Sequence, residues 1–246
     1  ILSLPCFANS AEPPGFTIVV SNPADDLEVK LFVEEKGMGT REGFIDAIQN
    51  GVYDYWFLKE LKVVNPNRKY RLEGYLFPDT YEFYLADDAE DVIDKFLRNF
   101  DNRMDDTMMA KVSMSGYSLH EILAIASIIQ EEAAAVEEND LIASVIYNRL
   151  DSESLRLLQM DSTVFYAAEL MDTEFDTGLD SPYNTYVYQG MTPGPIANPG
   201  LASIEAALNP ESTSYYYYVL DPGSGVHQFS KTLAEHEKKI KQLYGG

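Results

Sequence analysis

The sequence has little cysteine, little histidine and no long apolar run, and each shortage removes a class of protein. A single cysteine, Cys6, excludes an internal disulfide bond. The three histidines, His120, His227 and His236, are too widely separated to suggest a histidine-based metal site. The longest mainly apolar run, residues 122–129, is far shorter than the roughly 20 residues that a membrane-spanning helix needs. We therefore expect no metal cofactor and no transmembrane helix in this sequence.

Basic residues are also scarce, with 18 lysines and arginines against 40 aspartates and glutamates, and the formal net charge is -22. Such a charge repels nucleic-acid backbones and anionic lipid surfaces, so no nucleic-acid partner is expected. Tryptophan occurs once, whereas tyrosine occurs 17 times. The ring and polar tip of tyrosine suit stacking against carbohydrate, but they suit core edges and interfaces equally well. The aromatic composition therefore leaves both interpretations open.

The length and the 46% hydrophobic composition predict a packed core. The order of the predicted helices and strands indicates an α+β protein with two parts. We interpret residues 1–15 as a linker or a remnant of cloning, residues 16–68 as a small βααβ subdomain, and residues 69–246 as a larger mixed α/β domain. The subdomain can bind glycan or brace its neighbour, and we favour bracing. Its predicted elements are a strand at 16–20, a helix at 22–36, a second helix capped by Thr40 and ending at 50–51, and a return strand at 61–64.

Two capping boxes mark helices in the larger domain, one at Asp88 and Asp91 and one at Ser118 and Glu121. The helix that follows Ser118 carries Gln130 on its apolar face, so this amide is either a structural clamp or the floor of a site. The positions predicted to be buried in that helix are Leu119, Ile122, Leu123, Ala126, Ile129 and Ala133. The later predicted elements are a helix from an Asn139 cap to 150, an exposed acidic stretch up to 180, turn-rich segments at 181–186 and 190–200 that we expect to line a binding site, a helix at 201–208, a hairpin of 215–220 with 226–229, and a last helix capped by Ser230 or Thr232.

Glu73 is the first candidate for chemistry because it lies among aromatic residues, a glycine and a proline in residues 71–81. Burial in such a setting disfavours the charged carboxylate and raises its pKa, which is what a general acid at neutral pH requires. The alternative is a turn glutamate whose side chain caps a neighbouring backbone N–H. The local pattern alone does not decide between the two.

Seven separated motifs follow one another along the chain: Leu-Glu-Gly-Tyr-Leu-Phe-Pro-Asp-Thr-Tyr at 72–81, Ala-Ser-Ile-Ile at 126–129, Val-Ile-Tyr-Asn-Arg-Leu at 145–150, Leu-Gln-Met-Asp-Ser-Thr-Val at 158–164, Tyr-Asn-Thr-Tyr at 183–186, residues 190–196, and His-Gln-Phe at 227–229. Taken together and in this order, they resemble the YceG-like family of endolytic murein transglycosylases. The resemblance covers roughly residues 16–244 and implies a LysM-like subdomain at 16–68 followed by a catalytic domain.

The resemblance implies a lyase that cleaves the β-1,4 bond between N-acetylmuramic acid and N-acetylglucosamine and leaves a 1,6-anhydro-muramic end. Neither a cofactor nor a metal is implied. Glu73 matches the family glutamate of the E-G-x-x-x-P-D-T motif and would protonate the glycosidic oxygen. The predicted sugar-binding residues are Gln159, Asp161, Tyr183 and Asn184. Asn148 and Arg149 would support the site from behind, with a helix-end hydrogen-bond cluster as the alternative.

Two positions depart from the family pattern: Gln130 stands where the family has glutamate, and Ser162 stands where it has proline. The next acid of that motif is kept as Glu132, a supporting candidate. A neutral amide cannot take up a proton as a carboxylate does, so one alternative is a catalytically impaired peptidoglycan-binding module. Another is a hydrolase in which Asp79 positions water. The implied partners are peptidoglycan glycan strands, with peptidoglycan synthases as further candidates. The implied location is the outer face of the cell membrane, with a single-pass anchor outside these residues.

Overall fold

The computed structural model describes residues 40–61, 65–84 and 87–245, together with the backbone of 15–19. The fold mixes helices with two small antiparallel sheets, which confirms the predicted mixture of helices and strands. The elements in chain order are β1 (Gly15–Val19), α1 (Arg41–Asn50), α2 (Trp56–Glu60), β2 (Thr80–Tyr84), α3 (Ala89–Arg103), α4 (Asp106–Ser115), α5 (Leu119–Glu132), α6 (Asn139–Leu150), α7 (Asp161–Leu170), α8 (Leu201–Leu208), β3 (Tyr217–Asp221), β4 (Val226–Ser230) and α9 (Leu233–Tyr244).

The first sheet joins the two predicted parts of the chain. β1 pairs antiparallel with β2, and Gly15 lies opposite Tyr84 while Val19 lies opposite Thr80. β2 comes after the boundary that we predicted near residues 65–70, so the boundary and the LysM-like character of the first part stay predictions. The predicted helix at 22–36 lies outside the described residues. So does most of the predicted return strand, of which Leu61 has helical backbone angles.

Side-chain caps start most of the predicted helices. Thr40 caps α1, and the two predicted capping boxes open α3 and α5. Thr232, rather than Ser230, caps α9 in a further capping box. The prediction that Asn139 caps α6 is wrong. Asn139 is the first residue of that helix, and its amide donates instead to Ser203 Oγ in α8 over 3.3 Å.

The helix α5 lies at the centre of the larger domain, where it packs against α6, α7 and α8. Of the positions predicted to be buried in α5, all are buried except Ala133, which is half-buried. Burial is not limited to that one face, because residues 122–129 are all buried. Neighbours surround this helix, and its one buried hydroxyl in that run, Ser127, is satisfied by two hydrogen bonds. Ser127 Oγ donates to the carbonyl of Ala124 over 2.8 Å and accepts from the N–H of Ile196 over 3.0 Å.

Three helices, α2, α4 and α7, were not predicted. α7 takes up the beginning of the acidic stretch that we expected to be exposed up to residue 180, and it buries Tyr166, Ala167 and Ala168, so that expectation is wrong for these three residues. α4 buries only Met108 and Val112, so its apolar pattern is weak, although Asp105 caps it by accepting from Met108 N over 2.9 Å. Within the described residues, no single helix combines the length and apolar character needed to cross a bilayer. α4 and α5 meet those criteria only when they are joined as one broken span, bent by 93°.

The turn-rich residues 181–200 form a loop that is largely buried rather than draped over the surface. Asn184 is completely buried, and its Nδ2 donates to the carbonyls of Thr177 and Leu179 over 3.0 and 2.8 Å. Such side-chain bonds replace water for the backbone of a buried loop. The loop is thereby fixed against α5 and α7, the two helices that hold the candidate site.

Candidate functional site

Three of the predicted site residues, Glu132, Gln159 and Asp161, line one open groove with a volume of about 540 Å³. We call it the Glu132 groove. The C-terminal end of α5 supplies Glu132 and the N-terminal end of α7 supplies Asp161, while β3, β4 and α9 supply other parts of the wall. Five of the other lining residues are tyrosines. The full set of other lining residues is Val145, Arg149, Leu158, Met160, Tyr186, Tyr216, Tyr217, Tyr218, Val219, Leu220, His227, Leu233, His236, Ile240 and Tyr244.

Both carboxylate oxygens of Glu132 accept hydrogen bonds from residues distant in sequence. The N–H of Ser162 donates to Oε1 over 3.0 Å, and the hydroxyl of Tyr218 donates to Oε2 over 2.7 Å. Ser162 lies in the first turn of α7, so the carboxylate also faces the positive end of a helix dipole. Burial, and then the charge of Glu132, raises the pKa of Tyr218 well above its usual value, so its hydroxyl stays a donor at neutral pH.

Asp161 presents a second carboxylate to the same groove. Its Oδ1 accepts a hydrogen bond from the hydroxyl of Tyr186 over 2.6 Å. Burial, and then this bond, raises the pKa of Tyr186 above its usual value. Asp161 itself is exposed, so it is accessible to a ligand in the groove.

Gln159 is held in a strained conformation at the edge of the groove. Its φ of 52° is left-handed, which costs a residue other than glycine on the order of 1–2 kcal/mol. Its N–H donates to Thr185 O over 3.1 Å, and its Oε1 accepts from Arg149 Nη1 over 3.2 Å. Arg149 also donates to the carbonyls of Tyr216 and Leu158 over 2.7 and 2.9 Å. The Arg149 guanidinium therefore connects the residues before α7 with the residue that precedes β3.

Asn148 lies beside Arg149 but is not one of the residues that line the groove. Its Nδ2 donates to the carbonyls of Thr213 and Tyr215 over 3.2 and 2.8 Å. These bonds fasten the segment before β3 to α6. These bonds fit both support from behind and a helix-end hydrogen-bond cluster, so the role of Asn148 stays a prediction.

Gln130 is a structural clamp between α5 and α8. Its Oε1 accepts from the hydroxyl of Ser203 over 2.8 Å and from the N–H of Gly200 over 3.3 Å. A glutamate oxygen could accept the same two bonds. The acceptor function at this position therefore survives the change from the family pattern.

Glu73 occupies a different environment from Glu132. Its exposure is only 2%, and its Oε2 accepts a hydrogen bond from the hydroxyl of Tyr166 in α7. The Tyr166 ring lies 4.8 Å from that of Tyr183, whose own exposure is 2%. Burial raises the pKa of Tyr183, and the charge of Glu73 contributes to the increase. The structure thus brings Glu73 and Tyr183 together, but neither is among the residues that line the Glu132 groove.

The turn at Glu73 is fixed by residues from the 190–200 loop. Asn198 Oδ1 accepts from the N–H groups of Gly74 and Leu76 over 2.8 and 3.1 Å. Gly74 has a φ of +87° and packs directly on Pro195. Gly74 therefore meets two requirements that favour glycine: a left-handed backbone conformation and a close approach of two chain segments.

A single helix connects Glu73 with Glu132. In α7, Ser162 binds Glu132 through its N–H, and Tyr166, one turn further along, binds Glu73 through its hydroxyl. Glu73 therefore helps to hold the helix that carries Asp161.

The tyrosines that bind these carboxylates were not predicted as site residues. Tyr218 is the last of four consecutive tyrosines at 215–218. In a strand, successive side chains face opposite sides, so the sequence predicts which tyrosines share a side but not which residue Tyr218 binds. Beside Tyr218 in the groove wall, His227 Nδ1 lies 3.0 Å from Glu138 Oε2, and the His227 ring is 5.1 Å from that of Tyr218. Both members of this pair are buried by at least nine-tenths of their side-chain area.

A second cleft, of about 510 Å³, lies between α5 and residues 191–193. His120 lies in its wall and accepts from Arg68 Nη1 through Nδ1 over 2.9 Å. Burial, and then the charge of Arg68, lowers the pKa of His120 to about 4. In the described part of the chain, no group of three or more His, Cys, Asp and Glu side chains is arranged to hold a metal ion.

Comparison with known proteins identifies the family. The model of the YceG-like family matches residues 20–242. The chain is 44% identical over 240 residues to the endolytic murein transglycosylase of Bacillus subtilis (strain 168), covering 94% of this chain and 65% of that protein. It is 32% identical over 258 residues to the endolytic murein transglycosylase of Streptococcus pneumoniae serotype 2 (strain D39), covering 97% of this chain and 45% of that protein.

A crystal structure of a YceG-like protein from Listeria monocytogenes matches with a TM-score of 0.77 and 33% identity, over 91% of this chain and 75% of that one. The chain spans less than two thirds of the length of the two transglycosylases above, at 65% and 45%. The family match nevertheless extends over most of the sequence and confirms the resemblance drawn from its motifs. The chain belongs to the YceG-like family.

Proposed function

We propose that this protein is an endolytic peptidoglycan lytic transglycosylase and that Glu132, rather than Glu73, is its general acid. The names of the two relatives support the activity. The observation that favours Glu132 is its position in an open groove, beside Gln159 and Asp161. Glycan strands outside the cytoplasmic membrane would be the substrate, and neighbouring peptidoglycan synthases and an anchor in that membrane stay predictions.

Access to the substrate separates the two candidate acids. A general acid must come within about 2.6–3.2 Å of the oxygen that it protonates. Glu132 lines a groove that is open to solvent, whereas Glu73 is only 2% exposed and is not among the residues that line this groove. Glu73 is better suited to hold α7 in place than to reach a polysaccharide.

The proposed reaction needs one carboxyl group that acts twice. Protonated Glu132 gives its proton to the glycosidic oxygen, and the bond from that oxygen to C1 of the muramic sugar breaks. The C6 hydroxyl of the same sugar then attacks C1, and the Glu132 carboxylate takes up the hydroxyl proton. No water is consumed and the acid is regenerated, so a second carboxyl group is not needed to activate water, in contrast to hydrolytic glycosidases.

The surroundings of Glu132 suit these steps. Tyr218 and the Ser162 N–H donate to the carboxylate that forms when the proton leaves. The negative charge of Asp161 in the same groove would favour the positive charge that develops on the sugar ring. Gln159 offers a side-chain amide at the edge of the groove, where Arg149 orients it.

The alternative of an impaired binding module rested on Gln130. Its two accepted hydrogen bonds give it a structural role that an amide fulfils as well as a carboxylate. Since Glu132 remains available as the acid, the change at Gln130 does not require a loss of catalysis.

The test is digestion of purified murein, followed by mass spectrometry of the products. We expect the wild type to produce 1,6-anhydro-muramic ends and Glu132→Gln to be slower by about 10²–10⁴-fold, the usual contribution of general acid catalysis. Glu73→Gln should keep activity within several-fold, because it changes a supporting contact. Glu174→Gln, at an exposed position, is the matched control and should equal the wild type.

Other outcomes would point elsewhere. Loss of activity in Glu73→Gln at unchanged melting temperature, with activity retained in Glu132→Gln, would return the acid role to Glu73. Reducing ends in place of anhydro ends would indicate a hydrolase. If the wild type binds glycan strands but does not cleave them, the result would support the alternative of a peptidoglycan-binding module without catalytic activity.

A further inference from the structure

Two phenylalanines form an exposed aromatic pair beside the Glu132 groove. Phe165 in α7 is 60% exposed and Phe175 in the following loop is 39% exposed. Their ring centroids lie 4.5 Å apart with an interplanar angle of 41°. We call this pair the phenylalanine platform.

Exposure of this pair is costly because phenylalanine has no polar tip to keep in water. Fully burying such a side chain is worth about 1.5–3 kcal/mol relative to leaving it exposed. Single exposed apolar residues are common, whereas these two rings in contact form one contiguous apolar surface that a partner can cover. The pair is therefore available for a partner that covers its free faces.

The platform is continuous with the groove through one face of α7. Asp161, which lines the groove, and Phe165 are four residues apart and both exposed. Residues at this spacing are neighbours on a helix surface, with a rise of about 6 Å between them. A polymer that leaves the groove past Asp161 along α7 therefore meets the platform next.

The charges around the platform limit what can bind there. Glu169, Asp172, Glu174 and Asp176 are all exposed within a few residues of the two rings. This acidic rim repels an anionic membrane surface. A symmetric contact with a second copy of the chain would oppose the same acidic rim on both sides, which is unfavourable. A partner with an uncharged apolar face remains, and the C–H face of a sugar ring has that chemistry.

We propose that the phenylalanine platform is a distal subsite for a sugar ring of the glycan strand, remote from the bond that is cleaved. This inference rests on the proposed function. One sugar face packs on the rings while its hydroxyl groups stay in water, so no hydrogen-bond partner is needed from phenylalanine. The platform would hold long strands and give no benefit to fragments that end inside the groove.

The test measures binding and cleavage separately. Glu132→Gln, which should bind without cutting, is compared with the same variant carrying Phe165→Ala and Phe175→Ala, using purified uncrosslinked glycan strands and short oligosaccharides. We expect about tenfold weaker binding of strands after truncation of the rings, since an anchoring aromatic is typically worth more than 1 kcal/mol. Binding of fragments should be unchanged. Replacing Phe165→Ala by Phe165→Trp in this variant restores one aromatic ring and should recover strand binding.

Met114→Ala provides the matched control, because Met114 is 87% exposed on α4. Equal strand affinity with and without the rings would overturn the platform and leave the proposed function intact. Absence of strand binding by every variant would overturn both. A change in self-association measured by light scattering, without a change in strand affinity, would identify a second copy as the occupant and would also overturn the subsite.

Discussion

Replacement of Gly74 by alanine tests whether the turn after Glu73 is held by close packing as well as by backbone conformation. Gly74 has a φ of +87°, and a Cβ added to it would lie 2.8 Å from Pro195 Cβ and closer still to Pro195 Cγ. Pro195 belongs to the buried loop that also supplies Asn198, so it has little room to withdraw. The substitution therefore adds two separate penalties.

The two penalties can be estimated from their causes. A left-handed conformation costs a residue with a Cβ about 1–2 kcal/mol, and forcing an extra carbon into a packed contact costs about 1–3 kcal/mol. We expect Gly74→Ala to lower the free energy of unfolding by about 2–5 kcal/mol. Gly116 offers a matched control, because its φ is +80° and no atom lies within 4 Å of an added Cβ. Gly116→Ala should therefore cost only about 1–2 kcal/mol.

The measurement is urea unfolding of both variants, followed by circular dichroism. Adding Pro195→Ala to Gly74→Ala should recover part of the packing penalty, on the order of 1 kcal/mol, because alanine lacks the Cγ that lies nearest the added carbon but keeps the Cβ at 2.8 Å. Equal destabilisation by Gly74→Ala and Gly116→Ala, with no effect of Pro195→Ala on their difference, would refute the packing argument. It would leave only the backbone conformation to explain the glycine.

Two further predictions concern the two clefts. Tyr218→Phe removes the hydroxyl that donates to Glu132 and also contacts Met160 Sδ, so murein cleavage should fall about tenfold with a small change in melting temperature. Unchanged cleavage would remove Tyr218 from the site. Burial and Arg68 lower the pKa of His120 to about 4, so between pH 6.5 and 4 the unfolded chain binds a proton that the folded chain does not. Stability should fall by up to about 3 kcal/mol as the pH drops through this window, as measured by urea unfolding. His120→Gln should reduce that decline, and parallel pH profiles would contradict the assignment.

Helix starts could be predicted because capping acts over three residues. Thr40, Asp88 and Ser118 each bind an N–H in the first turn of their own helix, so a short window of sequence contains both partners. Asn139 has the right residue type for a cap, but Ser203, 64 positions away, takes its amide. The pairing of β1 with β2 could not be predicted for the same reason, since nothing within β1 specifies its partner strand.

The residues of the candidate site could be named from motifs, but their grouping could not be predicted. Glu132, Gln159 and Asp161 come from the ends of different elements and meet only after α5 and α7 pack. Tyr218 reaches Glu132 across 86 positions. No periodicity in the sequence encodes that approach.

The comparison of Glu73 with Glu132 shows why a local pattern identifies a buried acid more readily than a catalytic one. The aromatic neighbours of Glu73 predicted burial, and the carboxyl is buried; yet a catalytic acid needs shielding and also a path for the substrate. Glu132 ends a helix whose preceding turns are enclosed, so its side chain emerges where the packing stops. Its hydrogen-bond donors, Ser162 and Tyr218, lie 30 and 86 positions later in the chain. Shielding that comes from distant elements can leave one side open, whereas shielding by adjacent residues and their packed loop closes around the carboxyl.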